Sequence, residues 1–247
     1  MSQALDAATY DHHWDHRWSD FIRYHPGARH RRRLILECLA RAPRFERVLD
    51  VGCGLGQLLE LIDERFPGRD LTGVDLSQQA VETNRARWPG RRFEVLDLAQ
   101  GALSETFDLV VCSEVIEHLE DQAGALERLA SMVAPGGTLL LTCPTGKLHE
   151  TERHMGHVHH PTLDELRALA DPHGLEFVSA TNWGWPLYRA LKWATNLDAE
   201  RAMKHFAQGS YGFAQKLVSR LLYRTLFLDG EHSARGVQLI ATWRKSS

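Results

Sequence analysis

Residues 47–57, RVLDVGCGLGQ, lead a short β-branched run into a turn holding Gly52, Gly54 and Gly56, and LLELIDERF leaves that turn with helical periodicity as far as Pro67-Gly68. A strand, a glycine turn and a helix in this order bury their apolar faces only when further units stack beside them. Those units follow. DLTGVDL is a second strand, Ser77 is placed to cap a helix over QQAVETNRARW, and RFEVLDL is a third strand. TFDLVVC is a fourth, a helix covers roughly 120–133, APGG turns, and TLLLTC is a fifth. Strands alternating with helices imply right-handed βαβ crossovers and a doubly wound, mostly parallel α/β sheet.

With 247 residues the chain fits a single domain over 1–247. In YDHHWDHRWSDFI, Tyr10, Trp14, Trp18, Phe21 and Ile22 recur at helical spacing, and a second helix carries Leu34, Ile35, Cys38 and Leu39. Residues 1–42 therefore read as a helical lid, with Trp14 and Trp18 packed on the core, ahead of a core at 45–182. After Pro144 a polar, histidine-rich loop runs to Pro161, where Thr162 and Glu165 make a capping-box pattern before LDELRALA. LEFVSAT is a strand, 183–232 a helical insertion on the substrate side, and 237–243 the last strand. Within the insertion, 213–226 sets Phe213, Leu217, Leu221, Leu222 and Leu226 against Lys216, Arg220 and Arg224. That helix is expected to pack its apolar stripe on its own core; contact with a membrane surface is the alternative.

Composition excludes several classes. No apolar run approaches membrane-spanning length, and the first residues lack the pattern of a secretory signal. Cys38, Cys53, Cys112 and Cys143 show no C-x-x-C pairing, which suits reduced thiols in a cytoplasmic protein. A net charge of −3, with RHRRR at 29–33 as one of few basic runs, argues against nucleic acid as the partner and for a small-molecule substrate.

The glycine turn ends the first strand, where doubly wound sheets hold nucleotide-like ligands. Asp75 closes the second strand nineteen positions after Gly56, about where a carboxylate accepts from ribose hydroxyls. Asp50 sits immediately before the turn. A carboxylate there repels a pyrophosphate and favours a cation, so S-adenosylmethionine, an adenosine carrying ammonium and sulfonium charge, fits better than a dinucleotide. Asp97 can accept from the adenine amino group, with Leu76 and Leu98 as apolar walls. The plainer alternative is that these aspartates only cap helices and turns.

VLDVGCGLGQ, GVDLS, FEVLDL, FDLVVCSEVIEHL and LASMVAPGGTLLLTCP together resemble the successive motifs of class I S-adenosylmethionine-dependent methyltransferases. The resemblance implies a Rossmann-like seven-stranded sheet with helices on both faces and its last strand antiparallel. It also implies Gly52, Gly54 and Gly56 at the methionine moiety and Cys112 and Ser113 lining the cofactor by backbone.

SEVIEHLE, after the fourth strand, reads as the first turns of a helix, which sets Glu114, Glu117 and His118 at i, i+3 and i+4. Oxygen and nitrogen ligands so spaced can meet one divalent cation, magnesium, manganese, iron or zinc, with a further ligand from His154, His157, His159 or His160. The Glu-x-x-Glu-His segment resembles metal sites of small-RNA 2'-O-methyltransferases and recurs in ubiquinone-pathway O-methyltransferases; on that resemblance Glu114, Glu117, His118 and His157 are the ligands. Without a metal, His154 or His157 is the general base. Equally, Glu114 can favour a helix N-terminus, Glu117 can bind a substrate hydroxyl and His118 can lie on the surface. The expected activity is methylation of a small-molecule hydroxyl; alternatives are RNA 2'-O-methylation or a lipid-linked or quinone-type acceptor at a membrane.

Overall fold

Val48, Leu49, Val110 and Val111 are shielded from water because β1 (Arg47–Val51) and β4 (Phe107–Ser113) lie parallel at the centre of a sheet, with Leu49 opposite Val110 and Asp50 opposite Val111. The computed structural model describes residues 19–206 and 210–247. Tyr10, Trp14, Trp18 and the histidines at 12, 13 and 16 lie outside these. Around the central pair run β2 (Asp70–Asp75), β3 (Arg92–Val95), β5 (Val133–Pro144), β6 (Leu175–Trp183) and β7 (Gln238–Lys245), in the order β3-β2-β1-β4-β5-β7-β6. β7 runs antiparallel to both β5 and β6, as expected for the last strand. The chain winds from β1 toward β3, then restarts at β4 on the other side. The carboxyl ends of β1 and β4 therefore open a cleft between them.

Alternation of side chains along the strands divides the core in two. Leu49, Val110 and Leu141 face α5 (Gln122–Ser131) and α7 (Leu163–Ala170), while Val48, Val111 and Leu140 face α2 (Pro26–Arg41) and α3 (Gln57–Arg65). Helices thus cover both faces. α1 (Ser19–Tyr24) precedes α2, and α4 (Gln78–Arg87) starts where the Ser77 hydroxyl accepts from the Ala80 amide at 3.1 Å. Thr162 and Glu165 make the anticipated capping box.

Two local expectations are corrected. β3 ends at Val95, because the Leu96 amide still reaches the Asp75 carbonyl and the chain then turns at Asp97. APGG is a bulge inside β5 and not a separating turn: Gly136 adopts φ 71°, and the pairing skips from Phe107–Val133 to Leu109–Thr138.

After β6 come α8 (Leu187–Thr195), α9 (Ala199–Phe206) and α10 (Phe213–Thr225), with α6 (Glu150–His154) earlier in the loop after β5. Asp229, at the far end of the insertion, caps α8: its carboxylate accepts from the Leu187 amide at 2.6 Å and the Tyr188 amide at 2.9 Å while buried. Charged acceptors of this kind contribute about 1.5–3 kcal/mol. Asp229→Ala is expected to lower the unfolding free energy by about that amount in urea titration; an unchanged midpoint would show that the cap holds nothing.

Candidate functional site

The turn after β1 is bound on three sides. The Gly52 and Cys53 amides donate to the Val74 carbonyl at 2.8 and 2.9 Å, and the Gly54 amide donates to Asp75 Oδ2 at 2.7 Å. Asp75 Oδ1 takes the Ser77 amide at 2.9 Å, and Asn84 Nδ2 donates to the Gly54 carbonyl at 2.7 Å. Gly52 has φ 74°, and a Cβ there would overlap Val115 Cγ2, so no other residue fits the turn without displacement.

A cavity of about 330 Å³ opens beside this turn. Asp50, Gly52, Gly54 and Ser113 line it, Phe21, Arg31 and Arg32 come from α1 and α2 with His25 between those helices, and Tyr188 and Lys192 from α8. Its charges are mostly paired. Arg31 meets Glu114 at 2.9 Å and Lys192 meets Glu152 at 2.5 Å. Arg32 instead donates to the Ile22 and Arg23 carbonyls at 3.1 and 3.3 Å, and burial with neighbouring Arg31 pulls its guanidinium down to about 10. Burial, reinforced by Asp75, pushes the Asp50 carboxyl up to about 8.

SEVIEHLE does not begin an α-helix. The Glu114 amide extends the ladder by donating to the Thr142 carbonyl at 2.9 Å, and its φ of 58° then reverses the chain into one 3-10 turn, Ile116–His118. Left-handed backbone at a non-glycine residue costs of order 1–3 kcal/mol; the ladder bond, Thr142 Oγ1 at 3.1 Å and Arg31 hold it in place. Glu114 therefore points to Arg31, away from the grouping it was expected to share. The 3-10 turn does gather the others. The Glu117 carbonyl accepts from the Val158 amide at 2.9 Å, which brings His157 against His118 with ring centroids 4.6 Å apart.

Glu117, His118 and His157 offer ligand atoms that all lie within 4.8 Å of one another, and so do Glu152, His157 and His160. Both Glu117 carboxylate oxygens are buried with no hydrogen-bond partner among the described residues. Burial, then Glu114, raises that carboxyl well above its ordinary range. Burial also lowers His118 and His160 to about 4, and lowers His157 further with His118 and His160 beside it. His157 Nδ1 contacts His160 Nε2 at 3.0 Å. Neutral imidazoles beside a carboxyl are the donor types that divalent cations take, and these two groups of three could hold one.

Comparison with known proteins follows the same lines. Residues 10–180 match a family model described as a methyltransferase domain. The chain belongs to that methyltransferase family. Trans-aconitate 2-methyltransferase of Methylobacterium radiotolerans is 37% identical over 129 residues, covering 51% of this chain and 49% of that protein. Ubiquinone biosynthesis O-methyltransferase of Idiomarina loihiensis is 36% identical over 103 residues, covering 39% and 42%. The chain thus spans about half the length of the curated relatives it matches, or less. The N-methyltransferase NodS of Bradyrhizobium japonicum, solved with S-adenosyl-L-homocysteine, shares the fold at TM-score 0.63 and 20% identity over 98% of each chain.

Within this methyltransferase-family chain the residues singled out by sequence fall into four groups, with Glu117 buried behind the first of them. Asp50, Gly52, Gly54, Ser113, Glu114, His118 and His157 line the cavity. Asp75 ends β2 and Asp97 lies two residues past the end of β3, and both make local bonds: Asp97 accepts from the Ala99 amide at 2.9 Å and Gln100 Nε2 at 2.7 Å. Leu98 and Cys112 are packed in the core, Leu76 is half-buried and Gly56 opens α3. His154 is exposed at the end of α6 with Nδ1 on the Glu150 carbonyl, and it does not line the cavity. Sequence reasoning missed Arg31, Arg32, Glu152, Tyr188 and Lys192; the RHRRR run was the one visible signal for the first two. Gly52→Ala is expected to cost about 1–3 kcal/mol in chemical denaturation, from left-handed strain alone, and to rigidly displace Val115; a wild-type unfolding curve would contradict the tight fit.

Proposed function

We propose that the cavity binds S-adenosylmethionine and that the chain transfers its methyl group to a hydroxyl oxygen of a small molecule, with a divalent cation at Glu117, His118 and His157. The carrying observation is that one cavity runs from the glycine turn and Asp50 to the two imidazoles next to an unpartnered buried carboxylate. S-adenosylmethionine supplies an electrophilic methyl carbon on a sulfonium, so the protein's tasks are to hold an acceptor oxygen in line and to strip its proton. Asp50, beside the glycine turn, is placed to compensate donor cations. Asp75 and Asp97 keep acceptor capacity on their carboxylates for ribose and adenine after their local bonds, since each carboxylate offers about four lone-pair sites.

His157 suits ligation better than proton abstraction. Its imidazole stays neutral far below the usual histidine range, which weakens it as a base but leaves it ready to coordinate. With Nδ1 engaged by His160, Nε2 is its remaining ring nitrogen. Two imidazoles and one carboxylate favour zinc, iron or manganese over magnesium, which prefers oxygen. An ion held there lowers the pKa of an acceptor hydroxyl.

Small molecules are favoured over RNA because Arg31 and Lys192 are already neutralised within the cavity. A second reading, favoured by Arg32, which has no acidic partner among the described residues, is a carboxylate acceptor; trans-aconitate, named for several relatives, is a polycarboxylic acid. Methyl transfer from labelled donor to panels of hydroxylated and carboxylated metabolites, with and without divalent ions, tests both. Calorimetry showing no binding of S-adenosylmethionine or S-adenosylhomocysteine overturns them together.

Two outcomes are expected. After loading with zinc or manganese, elemental analysis should find about one ion per chain in the wild type, and at least tenfold less in Glu117→Gln and His157→Ala; a wild type free of metal and fully active in excess chelator removes the ion from the reading. Asp50 is mostly protonated below pH 8, and a cationic ligand favours its carboxylate. Binding of S-adenosylmethionine should therefore release a proton near neutral pH and tighten as pH rises toward 8, while the uncharged thioether of S-adenosylhomocysteine shows less of this. Asp50→Asn should abolish the difference in paired calorimetric titrations.

A further inference from the structure

Helix α10 is mounted with its amphipathy reversed. The face turned to the protein is polar: Ser219 is buried and donates to the Tyr24 carbonyl, Lys216 pairs with Asp20 at 3.4 Å, and Tyr223 lies under the Arg29 guanidinium at 4.1 Å. Of the stripe expected to pack on the core only Leu226 does so; for Phe213, Leu217, Leu221 and Leu222 that expectation is overturned. Phe213, Leu217 and Leu221, at successive i+4 positions, are 84%, 46% and 53% exposed, with Val218 at 54% alongside. The 3-10 turn that follows adds Phe227 and Leu228, the latter 77% exposed. A face this apolar on the outside of a helix marks an interaction surface.

Charge selects the occupant. Residues 183–232 carry seven lysines and arginines against four acidic side chains, in a chain whose overall charge is −3. Arg220 and Arg224 stand at i+7 and i+11 from Phe213, along one border of the apolar stripe, exposed and without an acidic partner among the described residues. A second copy of this chain would bring the same positive charge against itself. An anionic bilayer matches both halves of the face: apolar and aromatic groups enter the headgroup boundary, and arginines meet lipid phosphates.

We propose that the exposed face of α10, continued by Phe227 and Leu228, docks the protein on an anionic lipid surface. The insertion also bears on the cavity: α8 lines it with Tyr188, Lys192, Thr195 and Asn196, while Trp193 on the same helix is 62% exposed. The surface stands independently of the reaction proposed above, since none of its residues touches the glycine turn or the histidine cluster.

The test is co-sedimentation of the full chain with vesicles of phosphatidylcholine and phosphatidylglycerol in equal parts, against vesicles of phosphatidylcholine alone. Wild type should pellet with the anionic vesicles and less with the neutral ones. Arg220→Gln with Arg224→Gln should weaken partition roughly thirtyfold, the equivalent of about 1 kcal/mol for each lost basic side chain. Phe213→Ser with Leu217→Ser and Leu221→Ser should abolish it, with the unfolding midpoint retained because these side chains are already in water. Wild type left in the supernatant, or variants pelleting like wild type, overturns the proposal. So does a wild type that ignores vesicles but dimerises in sedimentation velocity while the serine variant stays monomeric, which assigns the face to a second copy.

Discussion

One carboxylate sets the geometry from which the site is built. Asp75 accepts from the Gly54 amide with one oxygen and from the Ser77 amide with the other, so it ties the turn after β1 to the start of α4 across the tip of β2. Charged acceptors on backbone amides are strong and directional. Two consecutive βα units are thereby fixed at the cleft, and the glycines can pass close to a ligand because their position is determined from the neighbouring strand. Asp75 meets that structural demand with both oxygens of one carboxylate, each on a different backbone amide.

A second constraint concerns charge. The cavity gathers carboxylates and cations in a volume of about 330 Å³, where burial penalises every unpaired ion. The protein resolves this in three ways. Arg31–Glu114 and Lys192–Glu152 pair directly; Asp50 holds its proton; the imidazoles of His118, His157 and His160 stay neutral. Glu117, whose carboxyl is also pushed up by burial, and Arg32, which meets only carbonyls, lack a charged partner among the described residues. The left-handed Glu114 is part of the same solution: turning the chain there sends its side chain to Arg31 and frees the following residues to fold toward the histidine loop.

The fold was legible because its signals are local and repeated. β-branched runs, the glycine turn after β1 and the Ser77 and Thr162 caps each announce themselves within a few residues, and the structure places these as read, while APGG and the end of β3 were decided by ladder pairing. The site was legible only in part. Asp50, Gly52 and His157 could be named because they adjoin strand tips or a histidine cluster. The helical spacing assigned to Glu114, Glu117 and His118 failed because a ladder bond to Thr142 outweighed local helix propensity, a tertiary interaction that short-range pattern does not contain. Arg31, Glu152 and Lys192 come from three distant segments, and only packing reveals that they share a wall. The reversed α10 is a similar case: its pattern shows an apolar side, but not which way that side faces.

The end of α8 and the short α6 are joined twice. Lys192 reaches Glu152, and Asn196 Oδ1 takes both the amide and the hydroxyl of Thr151, at 3.1 and 3.0 Å. Glu152 in turn stands 3.8 Å from His160, which touches His157. The outer helices are thus geared to the imidazoles through three contacts in series, Lys192–Glu152, Glu152–His160 and His160–His157, so the seat of α8 and the spacing of the ring nitrogens are set by the same train.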